Sequence, residues 1–470
     1  MGVIKRYFLN SSLHGLHFVA DKRFHWTERL FWTICVLASW GASLAIILSA
    51  IEQYQSQKIS FSVDTSYYEW ETNFPSIVIC EKSNDEKMHE ANKNAFGDIA
   101  SSHLPKLEHF VFFDGTMRYI EACDVGGAFR DRCILNNYSE YMTKFRSSCS
   151  EIIGSCYYNG VEFPCCDEFL SIGTYHGPCF AFNSLFSGKY KTRDQLSFKI
   201  NRNTDYGYGN LSVELLHTGL LVYGLSQDAV PTKDSSRQYV LVNSASKSIV
   251  PATYYKAFLS VEETFTDENA RLMSIENRGC RFYDENHLQH SKIYSMSTCE
   301  NDCLVEAQRS VCNCTVHTLP HNKEVRDCDY DGLLCIIDNA LIAQKSRSCR
   351  CVSSCFDVEV KIIGLTRPPI PKSQFRNDKS LARIDFVVQP STIRYTRSVV
   401  KDPLYMLVSV GGCVSVFIGA SLLSIIEIIY YFVIRPLGDR YLQKEQIKTI
   451  QKCKRQQMDL FDGFHFEYVN

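Results

Sequence analysis

The 470-residue sequence lacks an excess of either charge, carrying 50 Lys and Arg against 52 Asp and Glu. A nucleic-acid surface needs a marked basic surplus, so no nucleic-acid partner is expected. Catalytic signatures are missing as well. There is no zinc-protease helix motif, no Gly-x-Ser-x-Gly nucleophile elbow and no phosphate loop, and the chain does not read as an enzyme. It has no internal repeat and no low-complexity tract. His176, His217 and His317 are scattered and read as surface or structural residues rather than ligands. Cysteine is nearly absent outside one block: of 21, only Cys35, Cys413 and Cys453 fall outside positions 80–355.

The 18 cysteines inside that block are even in number and concentrated, which points to disulfides made in an oxidising compartment. Structural zinc is the competing reading, through Cys312-Asn-Cys314 and Cys349-Arg-Cys351. Zinc ligands, however, are usually spaced by two to four residues with histidine nearby.

Residues 30–51 form an uncharged run of 22, enough to cross a hydrocarbon core of ~30 Å as a helix. A cleavable signal sequence has an apolar region of only about 7–15 residues, so this run is expected to remain as a first span. A second apolar run, residues 404–434, is interrupted only by Glu427. As one helix it would measure about 46 Å at 1.5 Å per residue, which exceeds the membrane core. It must tilt, protrude or break. Its midpoint is Gly419, where glycine tolerates backbone angles that other residues resist.

Lys5, Arg6, Lys22, Arg23 and Arg29 precede the first run, and seven Lys and Arg from Arg435 to Arg455 follow the second. The positive-inside rule therefore places tails 1–29 and 435–470 in the cytosol and residues 52–403 outside a plasma membrane. Asn137, Asn210 and Asn313 begin glycosylation triplets in that outer region. The outer region reads as a disulfide-rich α+β domain. Residues 196–200 and 211–215 alternate like half-buried strands, 384–388 gives another strand, and 298–310 has helical spacing. A strand is expected between Asp64 and Cys80, and Arg367-Pro-Pro-Ile-Pro371 is a stiff connector.

From Cys280 the cysteine gaps run 19, 4, 9, 2, 14, 7, 14, 2 and 4, to Cys355. The outer gaps mirror each other, which suits nested bridges between two antiparallel segments. This pattern closely resembles the degenerin/epithelial sodium channel family. Four other stretches are similar to it: Ser11-Ser-Leu-His14-Gly15, Asn73-Phe-Pro-Ser-Ile-Val-Ile-Cys80, Gly177-Pro-Cys179-Phe-Ala-Phe-Asn183, and Gly411-Gly412 through Gly419-Ala420-Ser421 to Glu427. The resemblance implies bridges Cys280–Cys355, Cys299–Cys351, Cys303–Cys349, Cys312–Cys335, Cys314–Cys328, Cys80–Cys179 and Cys156–Cys166. Cys123, Cys133, Cys149 and Cys165 lie beyond that shared set, as in the invertebrate, pickpocket-type branch.

The resemblance further implies a trimer, homomeric or mixed with related subunits, that passes sodium, is blocked by amiloride and needs no cofactor. Gly419, Ala420 and Ser421 would form the constriction, where small side chains let carbonyls and a hydroxyl face the ion. Ser409, Gly412, Ser415 and Gly419 share a helical arc of about 120°. Small residues on one stripe can simply serve close helix packing; the resemblance makes them pore-lining. Glu427 would either raise the cation concentration at the inner mouth or pair with a cytosolic base. His14-Gly15 resembles a gating motif whose glycine permits a tight bend, with an ordinary turn as the plain alternative. Family members usually carry a small residue where this chain has Val408, and bulk there tends to hold such channels open.

The competing readings are a non-conducting subunit, a cysteine-rich receptor, and an ATP-gated channel, which lacks this cysteine ladder. Protons, a peptide or another extracellular ligand all suit the family as stimulus. Acid sensing needs clustered carboxylates with raised pKa, for which Glu262, Glu263, Asp331 and Asp338 are candidates.

Overall fold

The computed structural model describes residues 3–56, 59–64, 72–96, 107–113, 133–200, 209–233, 239–242, 253–368, 373, 375, 377–389, 393–399 and 403–462. The chain divides into two compact units, Met1–Ser60 with Val399–Asn470 and Phe61–Ser398. Its main helices begin with α1 (Val3–Asn10), α2 (Leu16–Ala20), α3 (Trp26–Ser56), α4 (Asp85–Phe96) and α5 (Tyr138–Phe145). They continue with α6 (Met296–Cys312), α7 (Tyr330–Asp338), α8 (Ala340–Arg347), α9 (Pro403–Ile418), α10 (Leu422–Ile429) and α11 (Arg435–Asp462).

The first unit is helical. In α3, Leu30, Phe31, Ile34, Leu37 and Leu44 are all exposed. An exposed helix with an apolar run this long is a candidate membrane span. The second apolar run does not continue as one rod. It stops at Ile418, resumes at Leu422, and bends by 69° between the two parts. A π-helical turn, Tyr430–Ile434, then joins α10 to α11.

The second unit is built on two main sheets, with two further two-stranded pairs, Thr72–Asn73 with Lys199–Ile200 and Cys280–Arg281 with Ser353–Ser354. Its strands are β1 (Ile59–Asp64), β2 (Ser76–Glu81), β3 (Ile153–Tyr158), β4 (Val161–Phe163), β5 (Leu170–Thr174), β6 (Gly177–Phe182) and β7 (Asn210–Leu215). They are followed by β8 (Leu220–Leu225), β9 (Tyr239–Val242), β10 (Thr253–Thr266), β11 (Phe356–Thr366), β12 (Ala382–Val388) and β13 (Ile393–Val399). The larger sheet runs β1-β13-β10-β12-β7-β3-β4, with β11 also paired to β10; the smaller runs β9-β8-β2-β6-β5. The long β10 is parallel to β12 and β13 and antiparallel to β11.

Every residue of β2 is buried, and period-two geometry shares them between two cores. Ile77 and Ile79 join Leu211, Val213, Leu259 and Phe386 of the larger sheet, while Val78 and Cys80 pack with Cys179, Leu221 and Tyr223. A satellite cluster gathers Met88 of α4, Tyr138 of α5, Leu333 of α7 and the cysteines Cys314 and Cys328.

Several sequence expectations change. Residues 211–215 are buried on both faces rather than half-buried, because the polar face is covered too. Glu214 accepts from Asn377 N (3.1 Å) and Ser380 Oγ (3.0 Å). Within 196–200 only Lys199–Ile200 is strand, paired with Thr72–Asn73. Most of the 367–371 connector, and residues 65–71 before β2, lie outside the described residues.

The structure pairs Cys80–Cys179, Cys280–Cys355, Cys299–Cys351, Cys303–Cys349, Cys312–Cys335 and Cys314–Cys328. Both Cys-x-Cys pairs are therefore consumed in disulfides. The expected Cys156–Cys166 bridge is replaced by Cys156–Cys165 and Cys149–Cys166. Cys156 faces Phe163 across the β3-β4 hairpin, and the chain then turns so that Cys165 enters the core beside it. Its neighbour Cys166, half-buried at the edge of the same core, meets Cys149 at the start of a short helix. Cys133 is disulfide-bonded, and Cys123 lies outside the described residues.

Candidate functional site

The break in the second apolar run is a constrained point of the helical unit. Ending a helix leaves orphan backbone groups, which something must satisfy. On the incoming side, Gly419 N makes a last helical bond to Ser415 O (3.0 Å) and then turns left-handed, with φ of +71°. On the outgoing side Ser421 caps α10. Its hydroxyl accepts from Ser424 N (3.4 Å), and Ser424 Oγ accepts from Ser421 N (3.1 Å).

The remaining partners come from the other end of the chain. The turn between α1 and α2 lies against the break. His14 N donates to Ile418 O (3.0 Å), which satisfies one orphan carbonyl of α9. Ser12 N and Ser12 Oγ both donate to Glu427 Oε2, at 3.2 and 2.7 Å. Because the Ser12 proton is spent there, the 2.8 Å contact with Ser424 Oγ has Ser424 as donor. Ser424 is 1% exposed, whereas Ser12 is exposed and Glu427 half-buried, so only the Ser424 end of this relay is shielded from water.

Both glycines at this contact are sterically required. A Cβ on Gly419 would stand 2.6 Å from His14 ring atoms. Gly15 has φ of +82°, and a Cβ there would stand 2.6 Å from Val36 Cγ2 of α3. The turn is braced by His17 Nδ1 at 2.8 Å from Leu9 O, and by Phe18 stacked on Trp32 at 4.5 Å. Ser39 Oγ of α3 donates to Phe417 O (2.5 Å), and Arg6 pairs with Asp439 at 3.2 Å.

The structure thus brings together His14, Gly15, Gly419, Ser421 and Glu427. Glu427 meets Ser12 rather than the cytosolic base considered from the sequence. Ser12, Ser424 and Ser39 were missed, since a serine hundreds of residues from its partner leaves no local pattern. Ser409, Gly412 and Ser415 stand on α9, where a Cβ at Gly411 or Gly412 meets nothing within 4 Å. Gly412 and Ser415 are therefore open among the described residues, whereas Ser409 is half-buried and Gly419 packs against His14. Val408 is likewise open, at 65% exposed.

In the other unit the candidate acidic residues do not gather. Glu263 is buried and bound by Arg394 at 2.6 Å, while Glu262 lies 3.4 Å from Lys361. The carboxyl that burial and nearby Asp228 push upward is Asp357, which sequence reasoning missed. Burial lowers His176 and His317 to about 4, and the Asp327 carboxylate at 3.2 Å raises His321. Asn137 and Asn313 are exposed, whereas Asn210 is half-buried in β7.

The "Amiloride-sensitive sodium channel" family model matches residues 7–431. Sodium channel protein Nach of Drosophila ananassae is 26% identical, over 92% of this chain and 87% of its own. Pickpocket protein 28 of Drosophila melanogaster is 23% identical, over 95% and 81%. Acid-sensing ion channel 1C of Danio rerio is 20% identical, over 90% and 82%.

Proposed function

The chain belongs to the amiloride-sensitive sodium channel family, a family of ion channels rather than enzymes, and on that premise we propose that it is a conducting subunit of a trimeric, sodium-selective plasma-membrane channel. The channel is blocked by amiloride, is not voltage-gated, and opens through its outer domain. Its tails lie in the cytosol, and its partners are further copies or related subunits. Asn137 and Asn313 are the better glycan acceptors, being exposed.

One observation carries the reading: the second apolar helix stops at Gly419-Ala420-Ser421 and is held there by Ser12 and His14. Repeated around an axis, this break offers backbone carbonyls and the Ser421 hydroxyl to a dehydrating cation. Ser409, Gly412 and Ser415 line the approach, Gly412 and Ser415 being exposed and Ser409 half-buried among the described residues.

Voltage clamp of the chain expressed alone, and with related subunits, tests this. A current that vanishes on sodium replacement and under amiloride is expected, from assemblies that bleach in three steps. If vesicles holding the chain and its companions pass no ions under acid or peptide, the reading fails.

A further inference from the structure

Beyond the break, α11 is a long helix without cover: from Leu437 to Arg455 every residue is exposed. Its charges are not evenly spread. At about 100° per residue, Arg440, Lys444, Lys448, Lys452 and Arg455 fall in one arc of about 120°. Between 435 and 455 that arc holds no acid, since Asp439 and Glu445 stand outside it. Lys448 meets Glu445 at 3.2 Å, an exposed pair of little strength. The chain's own contact uses the other face. Arg6 of α1 pairs with Asp439, about 160° from the centre of the arc, and so leaves the arc open.

The break sets where this arc lies. Helix α9 has 16 residues and measures about 24 Å. The helix from Leu422 to Arg455 leaves it at 69°. With α9 along the bilayer normal, α10 and the π-helical turn, of 8 and 5 residues, add only about 7 Å of depth, which brings the chain to the inner edge of a ~30 Å core. Helix α11 then runs within about 20° of the membrane plane. From Arg440 to Arg455 it descends about 8 Å, within roughly one Debye length of the headgroups.

These charges extend along about 22 Å, which matches a charged plane rather than a single headgroup. A further copy of the chain is a poor cover, because arcs of like charge facing one axis repel. We propose that the basic arc of α11 docks on the anionic inner leaflet of the membrane and holds the outgoing end of the broken helix against the headgroups. Tyr441, in the same arc near its start, suits that interface. The proposal rests on cytosolic tails and not on conduction.

The full-length protein is placed in phosphatidylcholine nanodiscs, with or without about 30% phosphatidylserine. A fluorophore on Gln451→Cys, inside the arc, with Cys453→Ser, is compared with one on native Cys453, which is exposed and faces about 160° away. Cys35 and Cys413 are replaced by alanine in both. Quenching by acrylamide, a neutral solute, should fall about threefold at 451 when phosphatidylserine is present and change little at 453. Roughly 0.5 M salt should reverse the effect without further substitution. Lys444→Gln, Lys448→Gln and Lys452→Gln together should abolish it with the disulfide map intact. Quenching at 451 that ignores phosphatidylserine, protection that survives the triple substitution, or equal protection of 451 and 453, as in a bundle of three copies, would overturn the proposal alone. A C-terminal epitope reached by antibody on intact cells would overturn the cytosolic placement and the proposal with it.

Discussion

Gly419 combines two demands that no other residue meets. Its φ is positive, and its missing Cβ leaves room for the His14 ring. Alanine there pays about 1–2 kcal/mol for the left-handed backbone alone, and a 2.6 Å contact must also be relieved. Gly419→Ala is therefore expected to abolish or greatly reduce sodium current while leaving surface expression of the outer domain intact. Normal current with normal selectivity would show that the break is not the constriction. Glu427 carries a second residue-scale prediction. Through Ser12 it positions the turn; as a bare charge it would act on ions directly. Ser12→Ala and Glu427→Gln should each lower single-channel conductance, and the double variant should be no worse than the stronger single one. Additive logarithmic losses would assign Glu427 an independent electrostatic role, and unchanged current in Glu427→Gln would remove it from conduction.

At the scale of elements, the long apolar runs and the cysteine spacing were the legible features. A 31-residue run cannot fit a bilayer as one straight helix, and the glycine at its centre was the weakest point. What holds the break was not legible, because its partners lie 415 residues away. The adjacent Cys165 and Cys166 could not be told apart either: one step along the chain exchanges the sulfur that meets Cys156 for the one that meets Cys149. Strand 211–215 showed its alternation, but the segment covering its polar face comes from 377–380. Helix α9 carries its own prediction. Val408 on this helix is 65% exposed. Val408→Gly should lower resting amiloride-sensitive current several-fold relative to the native chain; unaltered resting current would detach this position from gating.

For the whole molecule, the buried histidines set an acid limit. His317 Nε2–H donates to Phe110 O (2.8 Å), and His176 lies 2.7 Å from the Tyr223 hydroxyl. Both titrate near 4 in the fold, against about 6.5 in an unfolded chain. The unfolded state thus takes up more protons between those values, so stability falls as pH drops from about 6.5 to 4 and then levels. Each histidine approaches a loss of about 3 kcal/mol at that limit. Thermal melts of the protein across that window should show the decline, and His317→Gln should flatten it; a melt independent of pH would contradict it. The contact between Ser12 and Glu427 also orders biosynthesis. At about 5–20 residues per second, a ribosome makes the second partner some 20–80 s after the first, given their 415-residue separation. The break in the second apolar run therefore cannot be braced until late in translation. The opening residues must wait, unpartnered at the membrane, until nearly the last helix has been inserted.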